Sequence, residues 1–158
     1  MKIFIMRHGE AVLMANSDAE RALTDQGRRD SEKVAQACVQ QGISHFDKVL
    51  VSPYLRAQQT WQQTQDHFTF GEVVTCPDIT PYGNADHVFD YVNALAQVEP
   101  IESLLIVSHL PLVGYLAAEF VRDLSPPMFV TSGLLCIDFQ IEKQFGEVVW
   151  QLSPQSVA

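Results

Sequence analysis

Three stretches of the chain are apolar at almost every position, and each ends abruptly in polar residues. KIFIM (2–6), KVLV (48–51) and SLLIVSH (103–109) lack the alternation of a half-exposed strand, so they read as strands buried on both faces of a parallel sheet. The segments between them change to helical spacing. In LTDQGRRDSEKVAQACVQQG, Thr24 is placed to cap a helix whose inward positions are Gly27, Ser31, Val34, Ala35 and Cys38, and Gly42 supplies the stop. In SPYLRAQQTWQQTQDHF, Ser52 fits the N-cap and Pro53 the first helical position, with Ala57, Trp61, Thr64 and Phe68 inward. Asn84 can cap a helix carrying Val88, Tyr91, Val92, Leu95 and Ala96, and another helix runs through Pro111 to about Val121. VVTC (73–76) is a weaker strand, and after the break at SPPM (125–128) GLLCIDFQI and GEVVWQL pair as an edge hairpin. This alternation predicts an α/β three-layer sandwich with a mostly parallel central sheet and helices on both faces, in a single domain spanning residues 1–158.

Composition narrows the function classes. With 47% hydrophobic residues in 158, the chain can bury a full core. No stretch is long and apolar enough to span a bilayer, and the four-residue IFIM run is too short for a secretory signal, so the expected location is the cytoplasm, without membrane contact. The three cysteines, Cys38, Cys76 and Cys136, have no CxxC spacing and read as reduced, buried thiols; Trp61 and Trp150 read as core, and His45, His67 and His87 as surface residues. A net charge of −9 argues against nucleic acid, because nineteen acidic against ten basic residues leave no general basic face. An anionic substrate therefore needs locally concentrated positive charge.

Such a concentration exists at the strand ends, where open α/β sheets place ligands. Arg7, His8 and Gly9 follow the first strand, Ser52 and Arg56 the second, and Ser108, His109 and Leu110 the third. Neighbouring strands would bring two arginines and two histidines to one spot beside a helix N-terminus, a set suited to a tetrahedral dianion. A metal centre is disfavoured, because the two histidines have no third ligand at a recognisable spacing and the arginines repel a cation. No cofactor is implied. Cys-x5-Arg is absent, since Ser44, Tyr82 and Glu142 stand six positions after the cysteines; DxD and Gly-Lys-Ser/Thr are absent too. Histidine is left as the nucleophile, and a neutral imidazole nitrogen can attack phosphorus directly.

RHG after the first strand, SPYLRAQQT at the second helix and SH after a late apolar strand together resemble the histidine phosphatase (phosphoglycerate mutase-like) superfamily. FIMRHGEA, LVSPYLRAQQT, VSHLPLVGYLAAE and PPMF extend the likeness along nearly the whole chain to the SixA-type protein phosphohistidine phosphatases. The resemblance implies that His8 is the nucleophile, that Arg7 and Arg56 clamp phosphate oxygens, and that His109 bonds the phosphoryl group in its transition state. It also implies that Gly9 admits close backbone approach and accepts a bond from the His8 ring. Arg21, Ser52 and Leu110 complete the implied phosphate-binding set, Ser52 being equally readable as a helix cap alone.

One departure bears on the substrate. Members that cleave phosphate esters use a carboxylate acid in an L-x-E context, where this chain reads CPDITPYGNADH, with Thr80 and Pro81 at the expected place. Asp78 and Asp86 are nearby and read as solvated loop residues, though either is a candidate substitute. An alkoxide needs a proton to leave, assistance worth about 10²–10⁴-fold, whereas imidazole, with a pKa of about 6.5, departs with little help. The missing acid points to a P–N substrate, and the short chain to an open pocket admitting a histidine on another protein. The expectation is a metal-independent protein phosphohistidine phosphatase, a monomer, acting on a phosphotransfer domain or phosphocarrier. The alternatives are a small-molecule phosphomonoesterase or mutase using Asp78 or Asp86, and a phosphohistidine-binding module without catalysis.

Overall fold

The computed structural model describes residues 1–157. Its strands are Lys2–Arg7 (β1), His45–Val51 (β2), Thr69–Thr75 (β3), Ser103–Ser108 (β4), Leu134–Gln140 (β5) and Phe145–Leu152 (β6). The α-helices are Asp25–Gln40 (α1), Leu55–Thr64 (α2), Ala85–Val98 (α3) and Leu112–Phe120 (α4). The strands form one sheet in the order β3-β2-β4-β1-β5-β6. The first four in that order are mutually parallel, and β5 and β6 add an antiparallel edge hairpin.

β1 shows why the strongest strands are apolar throughout. Ile3 and Ile5 pack with α3 and α4 on one face, whereas Phe4 and Met6 pack with α1 and α2 on the other. All four are buried, each contributing about 1.5–3 kcal/mol by leaving water. The result is the expected α/β sandwich with helices on both faces.

Local signals set the starts of two helices and the end of one. The Thr24 side chain accepts from the Gly27 N–H and caps α1, and Gly42, at φ +91°, turns the chain beyond it. Asn84 caps α3 by accepting from the His87 N–H. Two expectations need correction. The second helix starts at Leu55, with Tyr54 rather than Ser52 at its N-cap, so Pro53 precedes the helix. Trp150 is half-buried, tilted against Phe4 with ring centroids 6.0 Å apart, because it stands on the edge strand β6. Trp61 is buried as expected, and Cys38, Cys76 and Cys136 are free and buried.

The strand order carries the functional consequence. β2, β4 and β1 are adjacent, and β4 lies between the other two. Arg7 pairs in register with Ser108, and Val51 with Val107. The polar ends of all three strands therefore meet at one edge of the sheet.

Candidate active site

His8 emerges from β1 with its backbone fixed on both sides: its N–H donates to the Ser108 carbonyl, and its own carbonyl accepts from the Ser132 N–H, both at 3.0 Å. Gly9 is needed for the chain to continue, because a Cβ there would stand 2.8 Å from Ser31 Oγ and 2.9 Å from the Gly27 carbonyl. The Gly9 N–H donates to Thr60 Oγ1 on α2 at 2.9 Å.

These constraints fix the chemistry of the His8 ring. Nδ1 lies 2.7 Å from the Gly9 carbonyl, which can only accept, so Nδ1 carries the proton and Nε2 presents a bare lone pair. Arg56 Nε donates towards that lone pair at 3.3 Å. Burial, reinforced by Arg56, Arg7 and Arg21 and only partly opposed by the Gly9 bond, lowers the His8 pKa to about 4. The ring is neutral at physiological pH and aims its free nitrogen into a cationic pocket.

The His109 ring lies 5.1 Å from that of His8 and is buried. Its Nε2 is 2.7 Å from Ser52 Oγ, and its Nδ1 is buried without a partner. Burial, then the proximity of His8 and Arg56, pushes its pKa down to about 3. Arg7 donates from Nη1 to the Phe129 carbonyl at 2.9 Å, while its buried Nε has no partner. Its pKa is lowered by burial and by repulsion from Arg56. Two neighbouring guanidiniums and two buried nitrogens without a protein partner, Arg7 Nε and His109 Nδ1, give the pocket a donor set suited to an anion.

Comparisons with known sequences and structures identify the family. Residues 3–84 match the model of the histidine phosphatase superfamily (branch 1). The chain belongs to that superfamily. It is 41% identical over 155 residues to phosphohistidine phosphatase SixA of Escherichia coli K12, covering 98% of this chain and 94% of the relative. A SixA homolog of Haemophilus influenzae is 44% identical over 136 residues, 82% of each chain. The structure of the protein histidine phosphatase SixA complexed with tungstate superposes with a TM-score of 0.92 at 40% identity, covering 98% of both chains.

This histidine phosphatase fold brings Arg7, His8, Gly9, Arg56, His109 and Ser52 together. Ser52 is fully buried, and its hydroxyl meets His109 and accepts from the Tyr54 N–H at 3.2 Å, so it orients the second histidine instead of capping α2. Arg21 is half-buried; its Nε donates to the Val12 carbonyl at 2.7 Å and its Nη1 pairs with Asp18 at 2.9 Å. The Leu110 side chain packs against the α3–α4 core, leaving only its backbone for the site.

The candidate acids lie to one side. Asp78 is half-exposed, 3.6 Å from His87 Nε2. Asp86 and Glu119 lie together in a groove of about 450 Å³ that also includes Pro111. Among the described residues no group of three or more His, Cys, Asp or Glu could hold a metal ion.

Asp18 was missed at the level of sequence. Its carbonyl accepts from Arg56 Nη1 at 2.6 Å and its carboxylate pairs with Nη2 at 3.1 Å, in a 3-10 turn far from any motif. Thr60 was missed as well, although it stands inside SPYLRAQQT, one helical turn after Arg56. That spacing was the available signal.

Proposed function

We propose that this chain is a metal-independent protein phosphohistidine phosphatase acting on histidine-phosphorylated phosphotransfer domains or phosphocarriers. The observation that carries the proposal is the His8 ring, with Nδ1 tied to the Gly9 carbonyl and a bare Nε2 beside Arg56. The 41% identical relative, named as a phosphohistidine phosphatase, supports the same reading.

In the proposed cycle, His8 Nε2 attacks phosphorus and the bond to the partner's imidazole breaks. That ring takes the electron pair and, protonated on its other nitrogen, leaves neutral. Arg7 and Arg56 neutralise the equatorial oxygens, and His109 Nδ1, left unpartnered by the Ser52 bond to Nε2, is the atom available to a phosphoryl oxygen. Water then attacks the phosphorylated His8, releasing inorganic phosphate and restoring the free nitrogen. The tungstate complex of the similar structure is consistent with a pocket built for a tetrahedral oxyanion. Arg21 reaches the pocket through its charge on His8, and we assign it to the outer wall of the phosphate site.

A second reading, an esterase or mutase, is favoured by the carboxyl groups beside Pro111. Glu119 has its pKa raised, first by its hydrogen bond to Asp86 and then by burial, and so holds a proton more readily than an ordinary glutamate. The two readings separate with a phosphotransfer domain phosphorylated on histidine and a panel of phosphate monoesters. Wild-type protein should release phosphate from the domain, His8→Ala should be inert, and Asp78→Asn/Asp86→Asn should keep most activity. No release from the domain by wild type, or ester turnover that collapses with the aspartates, overturns the proposal. Phosphate binding without any acid-labile phosphoenzyme would make the chain a binding module.

We further propose that residues 1–158 act as one monomeric domain in the cytoplasm. The single continuous sheet and three free buried thiols support this, and among the described residues no helix is long and apolar enough to cross a membrane.

A further inference from the structure

Large apolar side chains are unevenly spread over the surface. Among the described residues five are more than three-quarters exposed: Leu13 (85%), Met14 (85%), Tyr82 (83%), Val98 (79%) and Met128 (77%). Four of these stand in loops at the carboxyl end of the parallel strands. Leu13 and Met14 follow β1, Tyr82 follows β3, and Met128 precedes β5. Because β5 runs antiparallel to β1, its leading segment returns to the same edge, where the Gly133 carbonyl accepts from the Arg7 N–H. Only Val98, at the end of α3, lies elsewhere.

Single exposed apolar residues need no explanation, but their concentration around one charged pocket does. Each flank is tied to the site. The Val12 carbonyl, next to Leu13, holds Arg21, and the Phe129 carbonyl, next to Met128, holds Arg7. Tyr82 shares the groove with Pro111, two residues beyond His109. At the centre, His8 is 7% and Arg56 4% exposed, so a phosphoryl group must be carried down to them on a projecting side chain.

We infer that Leu13, Met14, Tyr82 and Met128 form the docking rim for the protein substrate, seating an apolar patch from which its phosphohistidine projects, with a partner lysine or arginine set against Asp86 and Glu119. This rests on the phosphohistidine reading above. Charge complementarity favours this occupant. Its phosphoryl dianion meets Arg7 and Arg56, and its cation meets the negatively charged Asp86–Glu119 pair, neither member of which forms an ion pair among the described residues. A second copy offers a dianion only on its own His8, which is equally recessed. An anionic bilayer is opposed by the net charge of −9.

The test compares a histidine-phosphorylated phosphotransfer domain with phosphoimidazole, which needs no docking. Leu13→Ser/Met14→Ser/Met128→Ser should raise KM for the domain about 10-fold or more with kcat nearly unchanged, as expected for losing apolar anchors, and leave kcat/KM for phosphoimidazole within about 2-fold. Glu119→Lys should raise KM for the domain alone. Parallel losses on both substrates, or no change on either, overturn the inference, with thermal melts confirming that the variants fold. A wild-type dimer in sedimentation that the triple variant abolishes also overturns it, assigning the rim to a second copy. Wild type that releases phosphate from the domain with a KM untouched by the rim variants defeats the docking inference alone. Wild type that hydrolyses neither substrate defeats the phosphohistidine reading, and the rim proposal with it.

Discussion

Asp18 holds Arg56 at two points, through its carbonyl at 2.6 Å and its carboxylate at 3.1 Å. The same carboxylate pairs with Arg21, and these bonds keep its pKa below the ordinary aspartate value, the Arg21 bond contributing most. In the anion-free pocket Asp18 therefore aims the guanidinium and partly neutralises it. It also places a negative charge near the phosphate that Arg56 would bind.

Those two roles have separable consequences. In Asp18→Ala, Arg56 loses both restraints, and a misplacement of about 1 Å in a positioning group can cost about 10²-fold. We expect kcat to fall about 10- to 100-fold. Inhibition by inorganic phosphate should hold steady or tighten a few-fold, because a like charge near the anion has been removed. Steady-state kinetics with phosphate as inhibitor checks this; phosphate affinity that weakens in step with kcat would reduce Asp18 to a structural support.

Gly9 offers a packing prediction with a catalytic readout. A methyl group there meets Ser31 Oγ and the Gly27 carbonyl, both buried against the start of α1, and the Gly9 carbonyl is the acceptor that orients His8. Gly9→Ala should destabilise the fold by about 1–3 kcal/mol, the usual cost of overpacking. It should also depress kcat more than the stability loss explains, because the His8 ring moves with the loop. Urea unfolding together with phosphoenzyme burst amplitude measures both effects. A destabilised variant with an unaltered burst would show that the carbonyl does not set the ring.

The buried histidines make stability depend on pH in a window set by their own shifts. His8 and His109 are lowered to about 4 and about 3, whereas an unfolded histidine titrates at about 6.5. As pH falls through about 6.5, the unfolded chain takes up protons that the native rings refuse. Native stability is therefore lost from there down to the folded values. Between about pH 7 and pH 5 this amounts to about 2 kcal/mol per ring and about 4 kcal/mol for both. Denaturant unfolding at the two pH values should show that loss in wild type and roughly half of it in His8→Asn. Equal losses in the two proteins would mean that His8 is not held neutral by burial.

What the sequence showed and concealed follows from the range of the interactions. β1, β2 and β4 were legible because strands buried on both faces cannot alternate, and their adjacency turned three short motifs into one site. The caps at Thr24 and Asn84 were legible because a cap bonds three residues ahead. The cap reading of Ser52 failed for the same reason, while its place beside the site did not: Ser-Pro before a helical pattern looks like a local cap, yet the hydroxyl meets His109, 57 positions away. Asp18, the Phe129 carbonyl and the buried Ser31–Ser132 hydroxyl pair left no periodic trace, since each acts across the tertiary fold on residues distant in the chain.

Ser52 is then the place where a misread residue becomes a functional prediction. Its hydroxyl can donate to His109 Nε2 while accepting from the Tyr54 N–H, an arrangement that puts the remaining His109 proton on Nδ1. That is the tautomer a phosphoryl oxygen requires at Nδ1. In Ser52→Ala the buried Nε2 loses its partner, at a cost of about 1–3 kcal/mol in stability, and the ring is free to carry its proton on either nitrogen. Turnover should fall about tenfold with little change in KM, because the bond at stake matters most as charge develops on the oxygens. Ser52→Thr, which keeps the hydroxyl, should recover most of the rate. If alanine and threonine at this position gave the same kcat, hydroxyl control of the His109 tautomer would be excluded, and Ser52 would be left as a packing residue at the end of β2.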